Sequence, residues 1–152
     1  MSLRERIPAD IKNALREKNS LELAVLRMLQ SSIRNKEIEN NKKELTDEEV
    51  IGVISSEVKK RRDAAEEFEK VNRQDVADKE KAEIEILMKY MPRQMSEDEI
   101  RNEVIKAISE ADAAGTKDFG NVMKIIMPAV KGKADGSMVS KVVRQELEKL
   151  EN

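Results

Sequence analysis

The sequence predicts an all-α protein, and three observations carry that prediction. Aromatic residues make up only 2% of the 152 residues, and there are only three prolines. Glu, Lys, Ala and Leu, all strong helix formers, are abundant. Apolar residues recur at three- and four-residue spacing in one segment after another, the repeat of a helical face. The expected architecture is a four-helix N-terminal unit over residues 1–91, with long hairpin helices, followed by a small three-helix C-terminal unit over residues 92–152.

Taken in order, Ile7, Ile11 and Leu15 mark the first stripe. Ser2 with Glu5 reads as a capping box, but Pro8 would then fall past the first turn and lose a hydrogen bond. The helix either starts near Ile7 or kinks there. Ser20 is the expected cap of a second helix with an apolar face of Leu23, Leu26, Met28, Leu29 and Ile33, reaching towards Ile38. Asn40-Asn41-Lys42-Lys43 reads as a polar loop. The third helix has the clearest start, a capping box of Thr46 and Glu49 with Leu45 and Val50 as its hydrophobic staple. It is expected to reach Val71, about 25 residues or roughly 37 Å. Its inward positions are Ile51, Ile54, Val58, Arg61, Ala65 and Phe68, so Arg61 stands where a hydrophobe is expected. Arg61 either snorkels or pairs with a Glu on a neighbouring helix, or it is a cation held in a groove for a ligand. Asn72-Arg73-Gln74 breaks the helix, and Asp75 is the expected cap of a fourth running to Tyr90, with Ala77, Ile84, Leu87, Met88 and Met91 as its stripe.

Met91-Pro92-Arg93-Gln94 is the expected boundary, because Ser96 with Glu99 and Met95 with Ile100 repeat the capping box and staple. Ile100, Val104, Ile105, Ile108 and Ala111 carry that helix to Gly115, read as the glycine just past its end. Phe119, Val122, Met123, Ile126 and Met127 form the next stripe, which Pro128 is expected to end at Met127. A basic loop, Lys131-Gly132-Lys133-Ala134-Asp135-Gly136, leads into a last helix from about Ser137, capped by Asp135 or Ser137. That helix uses Val139, Val142, Val143, Leu147 and Leu150. Gly132 and Gly136 permit positive φ and close backbone approach to a ligand.

Charge is unevenly spread. Residues 116–145 carry a net +4 and residues 97–114 a net −4, inside a chain of −2. A cationic loop at a helix start suits phosphate; the plainer alternative, which local physics alone favours, is a turn with solvated lysines. The absence of histidine and cysteine removes the usual proton shuttle, thiol nucleophile and preferred zinc ligands. Lys131-Gly132-Lys133 lacks the spacing and the preceding strand of a nucleotide-binding P-loop. Hence no metal, no cofactor and no self-contained enzyme is expected. With no leader sequence and no apolar run of membrane length, a soluble, cytoplasmic protein is expected.

Gly120-x-Val122-Met123, followed by Met127-Pro128-x-Val130-Lys131-Gly132-Lys133-Ala134-Asp135-Gly136, resembles the C-terminal signature of the GatB/YqeY family. Tyr90-Met91-Pro92-x-Gln94-Met95-Ser96 is similar to that family's Tyr-Leu-Pro-x-Gln-Leu-Ser hinge. Arg27-Met28-Leu29-x-Ser31, Lys60-Arg61-Arg62-Asp63, Phe68 and Asn72-Arg73-x-Asp75 fit its N-terminal half. In GatB, a subunit of a glutamine-dependent carbon–nitrogen ligase, the related region is a tail that contacts the tRNA body. The resemblance therefore implies a free-standing YqeY-like module that binds tRNA by shape and phosphate, without the catalytic body. Lys124, Lys131, Lys133 and Lys141 are the expected contacts, with Gly132 and Gly136 allowing close approach, and Arg61 and Arg73 as additions. With Phe119 and Tyr90 expected in the core, base stacking on single strands is not indicated, and no DNA partner is expected. The alternative is a protein adaptor docking onto an amidotransferase or another translation component.

Overall fold

The computed structural model describes residues 1–41 and 43–152; Lys42, within the predicted polar loop, lies outside the described residues. The described residues form α-helices and one single-turn 3-10 helix, with no strand among them. They divide into two compact units, Met1–Met91 and Pro92–Asn152.

The first unit holds α1 (Leu3–Arg16), α2 (Ser20–Glu39), α3 (Asp47–Lys70) and α4 (Gln74–Met88). Ser2 and Glu5 do form the capping box, and α1 begins at Leu3 with Pro8 inside it, so the helix does not start near Ile7. Its stripe is rotated from the expected one: Ala14 is buried and Leu15 is 58% exposed. Asn19, not Ser20, caps α2 by accepting from the Glu22 N–H at 3.1 Å. Met28 and Ile38 likewise lie outside the core, at 57% and 64% exposure. The Thr46–Glu49 box starts α3. Asn72 takes a left-handed φ of 60° to end that turn. Asp75 does not cap α4, whose N-cap residue Arg73 makes no side-chain cap bond; the Asp75 carboxylate pairs with Arg73 instead, at 3.3 Å.

The core of this unit gathers Ile7, Leu26, Leu29, Ile54, Val58 and Leu87. Two polar ties fix its edges. Glu37 takes both Arg4 Nε at 2.6 Å and the Leu45 N–H at 2.9 Å, and the arginine holds its carboxyl below the usual carboxylate range. Tyr90 is buried and donates its hydroxyl to Asp10 at 2.5 Å, with Arg6 lying 4.7 Å over its ring.

The second unit holds α5 (Glu97–Ala111), the 3-10 turn (Thr116–Asp118), α6 (Phe119–Val130) and α7 (Gly136–Leu150). Ser96 caps α5 through the Glu99 N–H. The helix ends on Asp112 in the left-handed region, so Gly115 is not the terminating glycine. Gly115 instead makes room: a Cβ there would sit 2.6 Å from Glu151 Oε1, which accepts from both the N–H and the hydroxyl of Thr116. Pro128 does not stop α6 at Met127. It removes one donor near the helix end, where it is exposed to water, and the following turn is anchored by fully buried Val130. Ile100, Val104, Val122, Ile126, Val139, Val142, Val143 and Leu147 form the core, while Ile105 and Leu150 are about half exposed.

Candidate nucleic-acid interface

The loop between α6 and α7 is held from the inside. The Lys133 and Ala134 N–H groups both donate to the Val130 carbonyl, at 2.8 and 3.1 Å, which closes the end of α6. Gly132 adopts φ 77°, a conformation that side chains resist. Its carbonyl accepts from Gln94 Nε2 at 3.0 Å, and the same amide donates to the Pro92 carbonyl at 2.9 Å. One residue on, the Met95 N–H donates to the Lys133 carbonyl at 2.8 Å. Two stretches 38 residues apart in sequence, the segment around Gln94 and the glycine loop, are therefore one hydrogen-bonded unit. Neither spacing nor periodicity signals this pairing. Its only trace is Gln94 two residues after Pro92, within the Tyr90–Ser96 hinge motif.

With its carbonyls turned to that segment, the loop presents its lysines outward. Lys131 and Lys133 are exposed at its rim, Lys124 lies on the exposed side of α6 with Pro128, and Lys141 is one turn into α7. Among the described residues none of these four has a carboxylate within ion-pair distance. Arg144, one turn beyond Lys141, lies 5.1 Å over the Phe119 ring. That contact ties the start of α6 to α7 and occupies one aromatic face that a base would need.

Two expectations change here. The start of α7 is not an open seat for phosphate, because Asp135 is its N-cap and its carboxylate accepts the Ser137 N–H at 3.4 Å. An anion arriving there meets a carboxylate, so lysine side chains, rather than backbone N–H groups, are what the loop offers. Gly136 is the first residue of α7 with no positive φ, and a Cβ on it would meet only Met127 Cε at 3.9 Å. It allows no special backbone shape. Gly132 does.

Arg61 and Arg73 belong to the first unit and are both engaged. Arg61 is ion-paired with Glu83 and, at 3.5 Å, with Glu80; its side chain is 11% exposed and Nη2 points at Met28 Sδ. Of the two alternatives for Arg61, the paired arginine is what the structure contains. Arg73 is exposed and pairs with Asp75, whose carboxyl it holds low. The structure thus groups Lys131, Gly132, Lys133 and Gly136 in one loop of the second unit, with Lys141 on the helix that follows, while Arg61 and Arg73 belong to the first unit.

Comparison with known proteins adds a family. The profile of the family described as "Yqey-like protein" matches residues 4–147. The chain is 33% identical to "Altered inheritance of mitochondria protein 41, mitochondrial" of Pyrenophora tritici-repentis, over 92% of this chain and 78% of that protein. Proteins of the same name from Lachancea thermotolerans and Clavispora lusitaniae are 38% and 32% identical, over 54% and 74% of this chain. Those matches span 44% and 66% of the relatives' own lengths. The cytoplasmic expectation is corrected by these names, which are those of mitochondrial proteins. A missing thiol and a polar composition describe the solvent a chain tolerates, not its address. Among the described residues no helix is long and apolar enough to cross a membrane.

Proposed function

We infer that this chain, which belongs to the YqeY-like protein family, is a helical module that binds tRNA through phosphate contacts from its terminal loop. The helices of residues 1–91 and those of 92–152 are taken as its two domains. The observation that carries this reading is the combination of a pinned backbone with unpaired cations. Gln94 and Met95 hold the loop, while among the described residues Lys124, Lys131, Lys133 and Lys141 have no carboxylate within ion-pair distance. A pre-ordered loop loses less freedom on binding, and lysine without a partner gains most from a phosphate.

The same features limit the mode. Arg6 lies over the Tyr90 ring, whose hydroxyl is committed to Asp10, and Phe119 lies against Arg144, so neither of these rings is a free platform for base stacking. Contacts would fall on the sugar–phosphate backbone and read shape. The acidic balance of the chain opposes nucleic acid, which sets affinity at about micromolar at physiological salt. The link to glutamine-dependent tRNA amidotransfer is part of this inference: such a module would hold tRNA while another subunit performs the amide transfer.

Fluorescence anisotropy with labelled total tRNA tests it. Lys131→Glu with Lys133→Glu is expected to weaken binding about tenfold or more. Lys12→Glu with Lys79→Glu, an equal charge change at exposed positions elsewhere, is expected to cost much less. Equal losses would assign binding to overall charge, and no binding at low salt would overturn the reading.

A further inference from the structure

We propose that the outer face of α2 is a docking surface for an acidic amphipathic helix of another protein. Residues 23–36 contain no carboxylate, in a chain that has 31 of them. The inward face of this stretch is spent on Val25, Leu26, Leu29 and Ile33. The outward stripe is Ala24, Arg27, Ser31, Arg34 and Ile38, at steps of three and four, and every member is exposed. Met28 borders it, 57% exposed. Arg27 and Arg34 lie seven residues apart, about 10 Å along one side of the helix. Among the described residues neither has a carboxylate within ion-pair distance, although Arg34 is near enough to Glu37 to help hold that carboxyl low. Arg4, Arg61, Arg93 and Arg101, by contrast, are all paired with glutamates.

The shape of the face matches its charge. Ala24 and Ser31, seven residues apart, put short side chains along the middle of the stripe, which lets a second helix approach closely. At the arginine edge is a cavity of about 180 Å³, with Ile7, Pro8 and Ile33 as apolar walls and Gln30, Arg34 and Arg4 as polar ones. Arg4 is already held by Glu37, so Gln30 and Arg34 are the donors available to an incoming carboxylate. Arginine and methionine together, with acids and lysine absent from the centre, is the make-up of protein interface cores. Phosphate would use the two arginines but leave Met28 and Ile38 in water, whereas an amphipathic helix would cover both. The occupant is therefore a helix with carboxylates facing Arg27 and Arg34 and apolar side chains facing Met28 and Ile38. This surface is on a different helix from the lysine loop, and it stands or falls independently of RNA binding.

The test uses the full chain and three synthetic helices of about 18 residues, or five turns. They share one Leu-rich stripe, flanked by Glu in the first, Gln in the second and Lys in the third. Fluorescence anisotropy is expected to show the Glu helix binding at least tenfold more tightly than the Gln helix, with no binding by the Lys helix. Arg27→Gln with Arg34→Gln should abolish the preference for Glu over Gln without changing the helical circular dichroism or the affinity for total tRNA. Equal affinity for the three helices, or none for the Glu helix, would overturn the proposal. So would a double variant that keeps the Glu preference and loses tRNA instead, since the face would then be a nucleic-acid surface.

Discussion

Replacing Arg61 by methionine removes the guanidinium that Glu83 and Glu80 share, while keeping much of the bulk of its stem. With both Arg61 and Glu83 only about a tenth exposed, the stranded carboxylate is expected to cost about 3 kcal/mol in urea unfolding. Arg61→Met combined with Glu83→Gln should recover part of it; a single variant as stable as the parent would refute the pairing. Tyr90 offers a spectroscopic counterpart, because it is the only tyrosine and there is no tryptophan. Burial, then the Asp10 carboxylate, pushes its hydroxyl above the ordinary value of 10. A raised pKa means stability that is complete below pH 10 and is lost as pH climbs towards the folded value. Phenolate absorbance should therefore appear only with loss of helix, and Asp10→Asn should bring it to lower pH. Titration at pH 10 in an intact fold would contradict the buried assignment. Gly132 and Gly136 separate by the same kind of test. Gly132→Val should cost about 1–2 kcal/mol because φ is 77°, whereas Gly136→Ala, at a helix start with space around it, should be neutral to within about 0.5 kcal/mol.

At the scale of elements, the tie from Arg4 through Glu37 to Leu45 predicts an acid limb. Arg4 first, then the Leu45 N–H, lowers the Glu37 carboxyl below its reference of 4.5. A lowered pKa gives stability that is present above pH 4.5 and drains away as pH falls through the folded value. Urea midpoints of parent and Glu37→Gln should thus differ at pH 7 and draw together as pH falls below 4.5 and the carboxyl is protonated; a constant gap would remove the tie. Helix starts were the most legible elements, since a capping box is a local chemical match: Ser2–Glu5, Thr46–Glu49 and the Ser96 cap are all formed. Where the signal was a lone polar residue, neighbours competed. Asn19 took the cap expected of Ser20, and Asp75 was drawn to Arg73. Stripe edges were misread for another reason. Periodicity finds the direction of a helical face, but Leu15, Met28, Ile105 and Leu150 stand at its margins, where the packing partner decides who is covered.

At the scale of the molecule, the all-helical class was plain from composition and spacing, and the family match spans nearly the whole chain. Long-range polar pairs were not readable. Tyr90 to Asp10, Arg61 to Glu83 and Gln94 to Gly132 join helices or loops whose mutual register no local pattern encodes. The lysines of the candidate interface were legible as charge, and Asp135 as one of two candidate caps of α7; that their loop is pinned by Gln94 was not. The central claim is that four lysines of the second unit grip phosphate, and the salt dependence of tRNA binding tests it most directly. At about 0.7–0.9 per phosphate, four contacts predict a log–log slope of roughly −3 to −4, and Lys131→Glu with Lys133→Glu should flatten it by about two. A double variant that binds tRNA with the parent's slope would contradict the account.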